Sequence, residues 1–214
     1  ANNDDTQITL GLNDMGSIKV CVSECGNNKK YAWDASAYTK MTDTGYSEGI
    51  VYPGDAGAAG TGTIQYHTPE LPFGTTASIA YNTNMSGDAA SGNATGSSGN
   101  SREEYSIVSA PVDGLTLSAH YNKVNDYDDG VTTEEQSEDG RSYATKYAAG
   151  NFTVGYGKSF QSPEITTALT TAGATTVEYY ENTGMSVGVA VNDDLSISFT
   201  REESLENFAT SATA

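Results

Sequence analysis

The chain has 214 residues, 36% of them hydrophobic, and sets 10 Lys+Arg against 28 Asp+Glu for a net charge of −18. Phosphate recognition needs clustered bases, so this balance excludes nucleic acid as a partner. No apolar run reaches the ~20 residues of a membrane helix, but a mean hydropathy of −0.46 does not exclude crossing by strands, because only alternate residues of a water-filled barrel meet lipid.

Period-two alternation predicts ten strands, in chain order at 6–12, 17–24, 61–68, 75–82, 104–112, 115–122, 141–149, 152–158, 176–191 and 195–201. Short connections rich in Asn, Asp and Gly lie at Asn13-Asp14-Met15-Gly16, Pro69 to Gly74, Asp113-Gly114, Gly150-Asn151 and Asn192-Asp193-Asp194. These residue types tolerate φ > 0 or bond their own backbone, which suits tight turns. Long connections fall between them, near 25–60, 83–103, 123–140 and 159–175. Tight and long links alternate along the whole chain, so an antiparallel meander would have one smooth end and one shaggy end. That is the expected layout of an all-β, antiparallel up-and-down transmembrane β-barrel over a single domain, 1–214.

The alternation also assigns faces. Ile8, Leu10, Ile18, Val20, Ile64, Ile79, Leu117, Val154, Val187 and Ile197 fall on one side. Thr9, Lys19, Gln65, His67, Ser78, Asn82, Thr116, Ser118, His120, Lys146, Ser186 and Ser198 fall on the other. In a membrane the first face would meet lipid and the second would be hydrated. Tyr81, Tyr105, Tyr121 and Tyr143 stand toward the long-link ends and Phe73 and Phe152 by tight turns, as expected of two aromatic girdles.

At TGTIQYHTPELPFGTTASIAYN, EYSIVSAPVDGLTLSAHYN and GRSYATKYAAGNFTVGYG the chain resembles Gram-negative outer-membrane general-diffusion porins of the alphaproteobacterial kind. The resemblance lies in the ordered repetition of an aromatic-ended strand, a Pro or Gly turn and an apolar strand ending in Tyr. It implies a barrel of about sixteen strands, a homotrimer in the outer membrane in contact with lipid and lipopolysaccharide, and passive diffusion of small hydrophilic solutes and ions without a cofactor. Ten strands, and a C-terminal ENFATSATA without a terminal aromatic strand, lead to the expectation that this is an internal portion of such a barrel. The resemblance implies that 25–60 is an inward-folded constriction loop. Its lining candidates are Lys29, Lys30, Asp34, Lys40, Asp43, Glu48 and Asp55, with Trp33 beside them. Lys19, Gln65, His67, His120 and Lys146 are the candidates on the facing wall. The P-E-F-G-G motif of some relatives' constriction loops is absent. The net charge favours cations.

Other readings compete. Cys21 and Cys25, the only cysteines, are either a local disulfide at the base of the long loop or two free thiols. Asp126, Asp128, Asp129 and Gly130 lack the spacing of an EF-hand, so the acidic stretch reads as a solvated loop and no metal site is expected. Ser118 and His120 share a face, but nothing in the sequence orients the base or builds an oxyanion hole, so no catalytic residue and no enzyme activity are expected. The alternative from another class is a soluble extracellular β-rich binding or adhesion protein, in which the face of Ile79, Leu117 and Val154 would pack against a second sheet.

Overall fold

The computed structural model describes residues 6–23, 63–82, 101–125, 139–162, 175–192 and 194–210. They form ten strands: β1 (Thr6–Gly11), β2 (Ser17–Ser23), β3 (Thr63–His67), β4 (Thr76–Asn82), β5 (Ser101–Val112), β6 (Leu115–Asn125), β7 (Asp139–Ala149), β8 (Phe152–Ser162), β9 (Thr175–Asn192) and β10 (Leu195–Thr210). All ten belong to one antiparallel sheet whose spatial order is the chain order, β1 to β10. Each strand pairs with its sequence neighbours, so the protein is an all-β up-and-down meander. The sheet is open: β1 and β10 are its edges, with no pairing between them among the described residues.

The tight links are built as their residues suggest. Between β1 and β2 a 3₁₀ turn spans Asn13–Met15, with Asn13 at φ 55° and Gly16 at φ 90°. The β3–β4 link closes through a small bridge, in which the Leu71 amide donates to the Thr75 carbonyl at 2.7 Å, with Phe73 and Gly74 both left-handed. This turn leans on β5: the Ala110 amide donates to the Phe73 carbonyl at 3.2 Å, and Ser109 Oγ lies 2.8 Å from Thr75 Oγ1. The register of β5 with β6 shifts between Ser109 and Val112, so Pro111, which has no amide to donate, falls in the irregularity. Before β10 the Asp194 amide donates to Asn192 Oδ1 at 2.9 Å, a side chain acting as a turn acceptor.

The ten expected strands are all present, but several run further than their alternation suggests. β5 begins at Ser101 rather than 104, β6 continues to Asn125, β8 to Ser162 and β10 to Thr210. The added segments are mostly polar: β10 beyond Arg201 reads Glu202, Glu203, Ser204, Leu205, Glu206, Asn207, Phe208, Ala209, Thr210. A ladder is held by main-chain bonds whatever the side chains are, so pairing with β9 continues to Thr210↔Thr175 after the apolar alternation has stopped.

Two turn glycines make a test. Gly114 (φ 78°) and Gly150 (φ 57°) both sit where a side chain is strained, but a Cβ on Gly114 would run into the Ala148 carbonyl oxygen, whereas Gly150 faces open space. Gly150→Ala is expected to cost about 1–2 kcal/mol and Gly114→Ala distinctly more, because its backbone neighbour must also move. Denaturant titration of the purified protein, followed by circular dichroism, checks the ranking; equal costs would show that the Ala148 contact does not matter.

Candidate functional site: the polar face of the sheet

A paired strand sends successive side chains to opposite faces, and register carries each face from strand to strand. One continuous row runs Gly11, Ser17, His67, Ser78, Ser106, His120, Ser142, Ser159, Asn182, Ser204, one residue from each of the ten strands. Every position is Ser, His, Asn or Gly, and both histidines of the chain stand in it. The next row on the same face runs Thr9, Lys19, Gln65, Ala80, Glu104, Asn122, Gly140, Gln161, Tyr180, Glu206.

Over the middle strands this polar face is the buried one, while its positions on β1 and at Ser196, Ser198 and Glu206 of β10 are exposed. Thr63, Gln65, Ser78, Asn82, Glu104, Ser106, His120, Asn122, Ser142, Ser159, Gln161, Asn182 and Ser186 are buried, whereas the buried hydrophobic side chains among the described residues are Cys21, Ala80 and Ala144. Neighbours on the face bond sideways across the strands. Ser78 Oγ lies 2.6 Å from Ser106 Oγ and Asn182 Nδ2 donates to Ser159 Oγ at 3.1 Å, while His67 Nε2 lies 3.1 Å from Gln65 Oε1 along the same strand, β3.

The opposite face is apolar and exposed. Ile79, Leu117, Val154 and Val187 are 42–48% exposed, and Ile8, Leu10, Ile64, Ile107, Phe152 and Ile197 more or about as much so. On this face the apolar stretch gives way to tyrosines and then to charges. Tyr121, Tyr143 and Tyr156 are each followed, two residues further from the tight turn, by Lys123, Arg141 and Lys158. The Tyr105 hydroxyl donates to Glu103 at 2.8 Å, Lys158 pairs with Glu181 at 2.5 Å, and Arg141 and Lys158 lie over the Phe160 ring at 5.4 and 5.2 Å. The expected upper tyrosines are thus exposed on the apolar face. Phe73 and Phe152, beside tight turns, are exposed as well.

The five wall candidates share the polar face. Lys19 is opposite Gln65, His67 and His120 stand in the serine row, and Lys146 is opposite Thr116 nearer the tight turns. The constriction candidates Lys29, Lys30, Asp34, Lys40, Asp43, Glu48 and Asp55, with Trp33, lie outside the described residues, as do residues 24–62, 83–100, 126–138 and 163–174 of the long links. Cys21 is buried and disulfide-bonded; Cys25 lies outside the described residues. Among the described residues no group of three or more His, Cys, Asp or Glu could hold a metal. Ser118 and His120 sit two apart on β6, with Ala144 and Ser142 opposite them.

Glu104, Asn122, Ser142, Gln161 and Asn182 belong to the same face but were not singled out from the sequence. Glu104 and Gln161 fall at or beyond the expected strand limits. Continuing the period of two from Ser106 and from Gly155 would have placed both.

The Ser78–Ser106 pair tests whether sideways bonds hold this face. Each single change to Ala is expected to cost about 1 kcal/mol, and the double change about 0.5–1.5 kcal/mol less than the sum. Strict additivity in a double-mutant cycle would remove the bond from the account. Comparison with protein-family models, with curated proteins and with solved structures finds no match for this chain.

Proposed function

We propose that the chain forms part of the wall of a transmembrane β-barrel, an outer-membrane porin that passes small hydrophilic solutes and ions, with a preference for cations. The observation that carries this reading is the inversion of the two faces. A soluble sheet buries Ile, Leu, Val and Phe and leaves Ser, Asn and Gln in water. Here the large apolar side chains are exposed, and the serine, histidine and amide rows are buried from Ser78 to Asn182 and from Gln65 to Gln161. Lipid is the surrounding that makes an exposed apolar face of this extent stable.

Three features agree with it. From Phe152 to Phe160 β8 covers about 26 Å at ~3.3 Å per residue, or roughly 20 Å along the axis at a tilt of about 40°, close to the ~25 Å apolar band of such barrels. The tyrosines followed by Lys123, Arg141 and Lys158 fit the passage from hydrocarbon to headgroup, where an aromatic body and a charged tip are both accommodated. An open sheet cannot span a bilayer with bare edges, so β1 and β10 would be paired in the membrane, within the larger barrel of about sixteen strands that the sequence resembles. Outer-membrane lipid and lipopolysaccharide would surround the apolar face, and the assembly would be a homotrimer.

Selectivity would come from the net charge of −18, with Glu104 and Glu202 on the polar face adding negative potential along the path. Planar-bilayer recording under a salt gradient should give stable conductance and a reversal potential on the cation side. A reversal potential on the anion side overturns the selectivity, and absence of conductance, with a protein that stays monodisperse without detergent, overturns the channel.

A pair of substitutions tests the faces. Val154→Arg on the apolar face, two residues inside the turn-side girdle at Phe152, should cost about 1–2 kcal/mol of stability in lipid, between the penalties at the midplane and at the interface. Ser198→Arg on the polar face, exposed and opposite Gly188, should stay within about 0.5 kcal/mol. Folding titrations into lipid vesicles read both, and the reverse ranking would assign the faces the other way.

A further inference from the structure

At the tight-turn end of the polar face the sheet holds a cavity of about 420 Å³, lined among others by Ala110, Asp113, Gly114, Thr116, Lys146 and Ala148. That volume falls within the ~300–1,000 Å³ of small-molecule sites. The backbone makes the space. The register of β5 with β6 shifts between Ser109 and Val112, and the Ala110 amide donates to the Phe73 and Gly74 carbonyls at 3.2 and 3.3 Å. β5 is thus held toward the β3–β4 turn where its ladder with β6 would otherwise continue. On the other side the Ala148 amide donates to the Gly114 carbonyl at 2.8 Å, which keeps β7 beside the turn. Ala110, Gly114 and Ala148 carry no more than a methyl group, so side chains do not refill the space.

Three of the lining residues have polar side chains. Thr116 and Lys146 are register partners on β6 and β7, so a hydroxyl and an ammonium belong to the same end of the cavity. Asp113 lies in the β5–β6 turn, on the other side of Gly114. Gly114 and Thr116 are two residues of strand apart, about 7 Å, so the carboxylate belongs to the opposite end. This arrangement serves a single charge poorly. An anion drawn to Lys146 comes near the Asp113 carboxylate, and a cation drawn to Asp113 comes near the Lys146 ammonium. A molecule that carries both charges meets a favourable partner at each end.

We propose that this cavity is a binding subsite for small zwitterions of the α-amino acid class. It stands on the face that the porin reading assigns to the solute path, and as a solute site it rests on that reading. The ligand carboxylate accepts from Lys146 and Thr116, the ligand ammonium donates to Asp113, and the ligand side chain lies over the methyl groups of Ala110 and Ala148. Lys146 has three N–H donors, so it can bond a carboxylate beside a partner within the protein. An α-amino acid spans about 2.5 Å from nitrogen to carboxyl carbon, and with charge-assisted bonds of about 2.8 Å at both ends the bridge reaches roughly 8–9 Å. That is enough to join the two ends of the cavity. Asp113 and Thr116 are exposed, so the contacts are weak, which suits a solute that must leave as readily as it enters.

The probe is L-alanine, compared with propionate and ethylamine, which each keep one of its two charges. Binding to the purified protein is read by ligand-observed saturation-transfer NMR, which does not require the protein to conduct. Saturable binding of L-alanine is expected, about tenfold tighter than either single-charge compound. Asp113→Asn leaves an Asn-Gly turn, which the fold tolerates, and should weaken L-alanine about tenfold, to the level of propionate. Lys146→Met should weaken L-alanine to the level of ethylamine. Ala148→Leu, at an exposed position, should fill the cavity and abolish binding of all three. Lys123→Met, on the opposite face, should change nothing. Asp113→Asn, the smallest change, keeps the test decisive if another substitution prevents folding. No saturable L-alanine binding, or binding that Asp113→Asn leaves unchanged, overturns the proposal. A protein that binds L-alanine but does not conduct would overturn the channel and leave the subsite; one that conducts without binding would do the reverse.

Discussion

Each strand of this sheet is tied to its neighbours by main-chain hydrogen bonds, and a strand so tied can only send its side chains alternately to opposite sides. Everything else follows from that constraint. Because all ten strands keep a consistent register, a residue type repeated at every second position in one strand meets the same type in the next. The faces become continuous surfaces rather than ten separate patterns. A slip of one residue anywhere would exchange the two sides from that strand onward. Register is therefore what keeps Ile79 in line with Tyr105 and Tyr121, and Ser78 in line with Ser106 and His120.

The tight links hold that register at one end. Their left-handed positions, Asn13, Phe73, Gly74, Gly114 and Gly150 among them, reverse the chain in few residues. A short reversal leaves little freedom to slide one strand past the other. Pro111 and the shifted register beside it show how an irregular residue is absorbed next to a turn, where the ladder is ending in any case. On the far side of the sheet the strands grow longer and more polar, and main-chain pairing carries them together with contacts such as Lys158 with Glu181 and Arg141 over Phe160. The division of labour is physical: apolar alternation selects the face, turn chemistry selects the register, and the ladder continues wherever two backbones remain adjacent.

The two faces make opposite demands. The apolar side needs no partner groups, only an apolar surrounding. The polar side must satisfy its atoms, and it does so sideways, through pairs such as Ser78 with Ser106 and Asn182 with Ser159. Small side chains make this possible, since Ser, Gly and Ala let neighbouring strands bring longer amides together without crowding. Gly140 is the clearest instance: by lacking a Cβ it gives the Asn122 amide its place.

Much of this was legible in the residues themselves. Alternation over stretches such as Leu115 to Tyr121 identifies a strand and its faces without any tertiary information, because the period of two is local. Asp113-Gly114 and Gly150-Asn151 announce turns for the same local reason. What the alternation could not supply is where a ladder stops once its side chains are polar, as in Arg201 to Thr210. Nor could it tell which residues of distant segments become neighbours. Lys19, Gln65, His67, His120 and Lys146 were recognisable as polar-face residues from period two. That His67 and His120 occupy one row, or that Asn122 and Gln161 flank the same glycine, depends on the register of several strands at once. The sequence by itself determined the strands, the turns and the sidedness, since each is set by a few adjacent residues. Only the tertiary structure decided the rows and the strand ends, because these arise from pairing between residues far apart in the chain.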